Sequence, residues 1–358
     1  MTAATARHVP LDALRGVAVL AVLGYHLTSL DAQSVIGLAL APVVRLGWAG
    51  VDIFFVLSGY LVASIILREA TLGEFDGWRF LRRRMLRLWP PLYVSLGVSW
   101  LTMPTRDASF ILPFVLHAQN FIPGGPQHLW SLAVEEHFYV AAAVLIPLLA
   151  RRTDPWACAC PVLTAVLIAV PLARLMAVWI GTDVEHIYVQ TQFRADSLTF
   201  GMFVGVASRY RPNLIIRIGS LRRSLLTTAL LSFGLAMVMD NPSFSYTLGL
   251  VLVDIGATSL LLFALGARTE QPSRLVRMLG WCGVRSYSIY LWHLAIGRTV
   301  GAAALLVVPS CGTAAIIVAL IAVLAMGQLS FSLLERPTAS RRERDPRSGG
   351  RVVPAAAR

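Results

Sequence analysis

The sequence predicts an all-α integral membrane protein of about ten transmembrane helices, with both termini on the cytoplasmic side. Three observations predict it. Hydrophobic residues make up 56% of the 358-residue chain and charged residues only 14%, with a mean hydropathy of +0.68, whereas a soluble domain carries about 25% charge. Apolar runs recur along the whole length. Arginines gather between alternate runs.

The runs fall near residues 10–31, 44–67, 90–104, 129–150, 157–179, 190–208, 223–240, 245–266, 285–308 and 313–335. A span needs about 20 mostly apolar residues, so ten of them use roughly 200 positions and leave too little for a separate soluble core. The third run is short and opens at Trp89-Pro90-Pro91; the stretch 108–118 beyond it reads as either spanning, re-entrant or interfacial. The first run contains Asp12, Arg15 and His26, which the apolar part of a cleavable signal avoids, so it is expected to remain as the first span.

Charge placement sets the orientation. The net charge of +12 carries no lysine. Arg82, Arg83, Arg84 and Arg87 follow the second run, Arg151 and Arg152 the fourth, and Arg209, Arg211, Arg217, Arg222 and Arg223 the sixth. Arg268, Arg274 and Arg277 follow the eighth, and an arginine-rich tail the tenth. Loops after odd-numbered runs carry almost none, Arg106 excepted. That is the positive-inside pattern, not a stripe for nucleic acid, and no nucleic-acid partner is expected. Residues 1–336 therefore read as one membrane domain and 337–358 as a disordered basic cytoplasmic tail. Arginine-only, alanine-rich composition points to a GC-rich bacterium and its cytoplasmic (inner) membrane. Cys158, Cys160, Cys282 and Cys311 have neither zinc-ligand spacing nor a disulfide framework, so no metal is expected. No internal repeat of the kind that builds two-halved transporters is visible.

Ionisable groups inside a bilayer are costly, and they line cavities or pair. Arg15 and His26 lie eleven positions apart in the first run, roughly 16 Å of helical rise and within about 20° of one face. His26 reads as a functional imidazole or as a histidine bonded inside the bundle. Asp52 sits in the aromatic stretch Gly50–Tyr60, where Ser58 and Gly59 read as close helix packing. The Arg82–Arg87 cluster is a topological anchor or an anion site at the cytoplasmic mouth. Glu135, Glu136 and His137 open the fourth run beside Trp130, and two adjacent carboxylates in a membrane helix are hard to explain by packing. Arg194 and Asp196 offer a counter-ion to them or a self-contained pair, and His293 lies in the ninth run. If the first run points outward, the groups sort into two layers. Arg15 and the arginine cluster lie near the cytoplasm; His26, Glu135, Glu136, Arg194 and Asp196 lie near the outer face. Composition alone leaves an enzyme, a transporter and a structural membrane protein open.

The ordered motifs narrow that choice. Leu11-Asp12-Ala13-Leu14-Arg15-Gly16 with His26, then Gly50–Tyr60, Arg83-Arg84-Met85-Leu86-Arg87 before Pro90, and Leu129–Glu136 resemble the signature of membrane acyltransferase family 3. Phe193–Ser197, Ser286–His293 and Glu335-Arg336-Pro337 complete it in order over nearly the whole chain. The resemblance implies a ten-helix O-acyltransferase that takes an acyl group, acetyl first among them, from acyl-CoA. Members act on hydroxyls of surface polysaccharides, lipopolysaccharide, peptidoglycan, exported oligosaccharides or macrolides, so the acceptor is expected to be a carbohydrate or a secreted natural product. The family's arginine and histidine of the first helix fall on Arg15 and His26. Two departures are visible: His137 stands where relatives more often have glutamine, and no hydrolase-like domain follows the last run, so transfer is expected from the membrane domain alone.

The expected chemistry has His26 as general base, because a hydroxyl is too weak an acid to attack a thioester unaided. Glu135 or Glu136 is expected to orient or charge the imidazole; an acyl-histidine intermediate stays open. Arg15 is expected to bind the donor or steady charge at the thioester, with Arg83, Arg84 and Arg87 on its phosphates. Asp52, Trp130, Arg194, Asp196 and His293 are the candidates for holding substrate.

Overall fold

The computed structural model describes residues 8–27, 41, 44–102, 109–122, 124–239, 241–267, 271–307 and 311–337. The basic tail beyond 337, Arg106, Arg268, and the last residues of the first, third, seventh and ninth runs lie outside them. Among the described residues there are helices and turns and no strand, the expected solution in lipid, where each backbone polar group must be bonded within its own segment.

Every apolar run falls on a helix. They are α1 (Val9–Leu27), α2 (Gly50–Thr71) and α3 (Gly77–Thr102), a short α4 (Ile111–Val115), α5 (Trp130–Ala150) and α6 (Pro155–Trp179). A short α7 (Val184–Val189) leads to α8 (Ala195–Tyr210), α9 (Pro212–Ser220) and α10 (Arg222–Met237). The chain closes with α11 (Leu250–Leu265), α12 (Arg274–Val284), α13 (Ser286–Val307) and α14 (Gly312–Ser330). A π turn, Ser245–Gly249, feeds α11, and another, Phe331–Glu335, ends α14.

Among the described residues, seven helical segments are long and apolar enough to cross a membrane. The other three expected spans differ for identifiable reasons. α3 is long enough at 26 residues, but its first half holds the arginine cluster, and it continues through Pro90 and Pro91 instead of starting there. α8 and α10 have 16 residues each, about 24 Å of rise against a hydrocarbon core of about 30 Å. The 109–122 stretch is a single five-residue helix and a turn, too short to cross. Gln119 ties it to the Leu129 carbonyl (3.2 Å) and Asn120 to Thr191 Oγ1 (2.8 Å).

In lipid the hydrophobic effect does not drive helices together; close packing and polar contacts do. Glycine provides that closeness at several seams, most tightly at two. A Cβ on Gly59 would lie 1.9 Å from the Leu198 carbonyl oxygen, and one on Gly201 1.8 Å from that of Val56, so α2 and α8 meet backbone to backbone. Gly16 and Gly283 do the same between α1 and α12, at 2.0 Å from Leu279 O and 1.8 Å from Asp12 O. Large apolar side chains such as Leu145, Ile168 and Leu231 stay exposed on the outer helices, as a lipid-facing surface requires.

Candidate active site

Three groups of polar residues lie within this apolar bundle, and two of them join into a column. The first group is histidine. The His26 ring lies 5.0 Å from that of His293, which lies 4.9 Å from His128. Nδ1 of His293 bonds the Tyr290 carbonyl (2.6 Å), and since a carbonyl can only accept, that nitrogen carries the proton. Nε2 is then the lone-pair nitrogen of the neutral ring, buried and without a hydrogen-bond partner. Arg298 lies within electrostatic reach of all three imidazoles. Among the described residues no three His, Cys, Asp or Glu side chains are grouped as a metal site needs.

One step along α5 and α13 the column continues through hydroxyls. Tyr290 donates to the His128 carbonyl (2.5 Å), so Ser131 Oγ, 2.8 Å away, donates to the Tyr290 oxygen. Next come the carboxylates. Glu135 accepts from Ser58 (2.6 Å) and Tyr139 (2.9 Å), and Glu136 accepts from the Trp89 indole (3.3 Å). They line a small cleft with Leu88, Trp89, Leu92, His117, Leu132 and Tyr287. At the far end Arg84 sits over the Tyr139 ring at 5.0 Å and within electrostatic reach of Glu135 and Glu136. Arg15 lies beside Asp12 (3.8 Å) and within reach of Arg84 and Arg87; Arg87 is 4.0 Å from Glu335.

The third group is a buried ion network in the wall. Arg194 pairs with Asp52, and Arg174 grips Asp196 with two bonds (3.0 and 2.7 Å); all four side chains are wholly buried. Arg194 also lies against Phe55, Trp130 and Tyr188, 5.1–5.7 Å from each ring centre. Asp254 stands nearby, fully buried with neither oxygen hydrogen-bonded.

Several expectations change. Arg194 and Asp196 neither form an ion pair with each other nor reach the glutamates, because residues two apart at a helix start point to different neighbours. Asp52, Trp130, Arg194 and Asp196 lie together in the packed wall; His293 stands apart from them, against His26. Ser58 binds Glu135 and is not a packing residue, while Gly59 is. Of the arginine cluster, Arg83 is held by Glu69 at 2.9 Å, whereas Arg84 turns inward. The expected outer layer splits: His26 meets His293, and both glutamates are engaged further along α5, next to Arg84. His117, His128, Arg174, Asp254, Tyr287 and Tyr290 were not singled out as site residues. Only Arg174 and Asp254, charged residues inside apolar runs, carried a signal that could have found them.

The sequence profile of the acyltransferase domain matches residues 9–328, nearly the whole bundle. The chain belongs to membrane acyltransferase family 3. It is 31% identical to the peptidoglycan O-acetyltransferase OatA of Listeria monocytogenes, over 92% of this chain and 56% of that protein. It is 28% identical to the putative peptidoglycan O-acetyltransferase YrhL of Bacillus subtilis (81% of this chain, 49% of that one). A putative O-acetyltransferase of Staphylococcus aureus is 29% identical, again over 81% of this chain and 51% of its own length. The chain thus spans about half the length of these curated relatives. No solved structure matches it.

Proposed function

We propose that this family 3 acyltransferase moves an acetyl group from acetyl-CoA to a hydroxyl of a cell-envelope glycan, in a bacterial cytoplasmic membrane with both termini inside. The observation that carries the reading is the polar column itself, which joins an arginine group to a histidine group through the interior of an apolar bundle. Such a path is costly in lipid and is retained for function. The positive-inside distribution puts the arginine end at the cytoplasm, where coenzyme A is made. The relatives' names supply the acceptor class.

In this reading Arg84, Arg15 and Arg87 hold the donor's phosphates and the acyl arm extends along the column toward His26. A ring nitrogen of His26 takes the proton from the acceptor hydroxyl as its oxygen attacks the thioester carbonyl carbon. The carbon–sulfur bond breaks, and the thiolate leaves and is protonated. His293, fixed by its bond to the Tyr290 carbonyl, orients the His26 ring in place of the expected glutamate. Glu135 and Glu136 act on the donor side, beside Arg84.

The test uses membranes with matched amounts of the wild type or His26→Ala. Each receives acetyl-labelled coenzyme A and host glycan, and label in the glycan is followed by mass spectrometry. Transfer by the wild type alone is expected. Equal transfer by both would remove His26 from the chemistry.

A further inference from the structure

His117 occupies a backbone position that histidine rarely takes. It follows α4 with φ = 51°. Its N–H bonds the Phe114 carbonyl (3.3 Å), and the next N–H, of Ala118, bonds that of Pro113 (2.7 Å). That pair of bonds is a Schellman motif, whose left-handed residue is usually glycine because any Cβ is strained there. Strain at one residue, kept where glycine would relieve it, points to a task for the side chain.

The side chain is placed for one. The ring lines the cleft between the arginine and histidine ends of the column, facing Glu135, Glu136 and Tyr287. It lies against Trp89, with ring centres 5.1 Å apart and planes tilted by 35°, and Trp89 in turn donates to Glu136. Both ring nitrogens are buried and have no hydrogen-bond partner, and a buried polar group left unpaired is costly. The backbone of His117 is held from behind by His137, whose Nδ1 bonds Thr191 at 2.7 Å and whose ring is also turned to that backbone.

We infer that His117 hydrogen-bonds an amide of the donor's pantetheine arm as it passes through this cleft. The inference rests on the donor reading above. An arm anchored at Arg84 and reacting at His26 must cross the level of Glu135 and Glu136. It carries two secondary amides, each with an N–H and a C=O. The carboxylates accept from the N–H groups but have nothing to donate to a C=O. The His117 ring N–H supplies that donor, and Trp89 fixes its plane.

The test substitutes the residue the backbone favours. His117→Gly removes the ring and relieves the left-handed strain, so the purified full-length protein in nanodiscs is expected to melt no lower than the wild type. Two ligands are titrated: coenzyme A, and adenosine 3′,5′-bisphosphate, which has the 3′-phosphate and one of the two 5′-phosphates without the arm. His117→Gly should bind coenzyme A about tenfold more weakly and the bisphosphate unchanged, with His117→Asn in between. Equal coenzyme A affinity in wild type and His117→Gly would overturn the role of His117 and leave the donor reading standing. Parallel weakening of both ligands would make the effect structural and overturn it as well. A wild type that binds neither ligand would overturn the donor reading together with this one.

Discussion

Asp52 and Arg194, 142 positions apart in the chain, form an ion pair in which neither side chain meets solvent. α2 supplies the carboxylate and the residue just before α8 supplies the guanidinium, at the seam where Gly59 and Gly201 bring the two helices into backbone contact. Three aromatic rings close around Arg194. The pair is therefore part of the wall that frames the column.

Removing one partner leaves the other as an uncompensated buried charge. Arg194→Ala is expected to destabilise the protein by about 3–5 kcal/mol, read as a lower melting temperature in detergent and loss of folded protein from membranes. Arg174→Ala should behave alike, since Asp196 depends on it. If Arg194→Ala melted like the wild type but lost transfer, Arg194 would belong to substrate binding, as first expected from the sequence.

Arg83 and Arg84 separate in the same way. Arg84→Lys loses the planar fork facing the column, and the apparent KM for the donor should rise severalfold, with roughly 1–2 kcal/mol of binding lost. Arg83→Lys keeps a cation beside Glu69 and should leave that KM within twofold. A reversed order in donor titrations of membranes would move the anion site to the outer face of α3.

His26 and His293 are expected to differ in kind. His26→Ala should lower turnover by about 10²–10⁴-fold, the range a positioned base contributes, without lowering the melting temperature. His293→Leu removes the neighbour that orients His26 and should reduce turnover by a smaller factor, with the donor's apparent affinity unchanged. Equal losses would mean that both rings act on the reacting atoms.

Gly201→Ala tests the seam. Its Cβ would meet the Val56 carbonyl oxygen at 1.8 Å, an overlap with backbone that no rotamer relieves, and a loss of about 1–3 kcal/mol is expected. Gly24→Ala, with open space around it, is the control that should melt like the wild type.

Most helices were legible because their apolar runs are long and flanked on at least one side by arginine or proline. Their ends were less so: α3 starts at Gly77, since its arginines lie on the same helix as the apolar run and hydropathy alone stops at Trp89. The pairing of charges was not legible at all. Arg194 and Asp196 are two residues apart, yet each answers a group on a different helix, and only the packing decides which. Arg174 looked like background in an apolar run, although it holds Asp196. The strain at His117 lies in a dihedral angle, which composition and spacing do not encode.

The two glycine seams also bear on how the molecule moves. Backbones in direct contact have no side chains between them to slide or repack, so α1 with α12, and α2 with α8, travel as fixed pairs, and Gly50 against the Ala18 carbonyl oxygen, 2.4 Å from its would-be Cβ, ties the two pairs into one block. If the proposed donor and acceptor are right, the widening that admits a nucleotide-linked arm and releases a modified glycan falls to α3, with Trp89 and Arg87 reaching across, and to the 109–122 segment carrying His117. Turnover would then be paced by the half of the protein that also grips the donor.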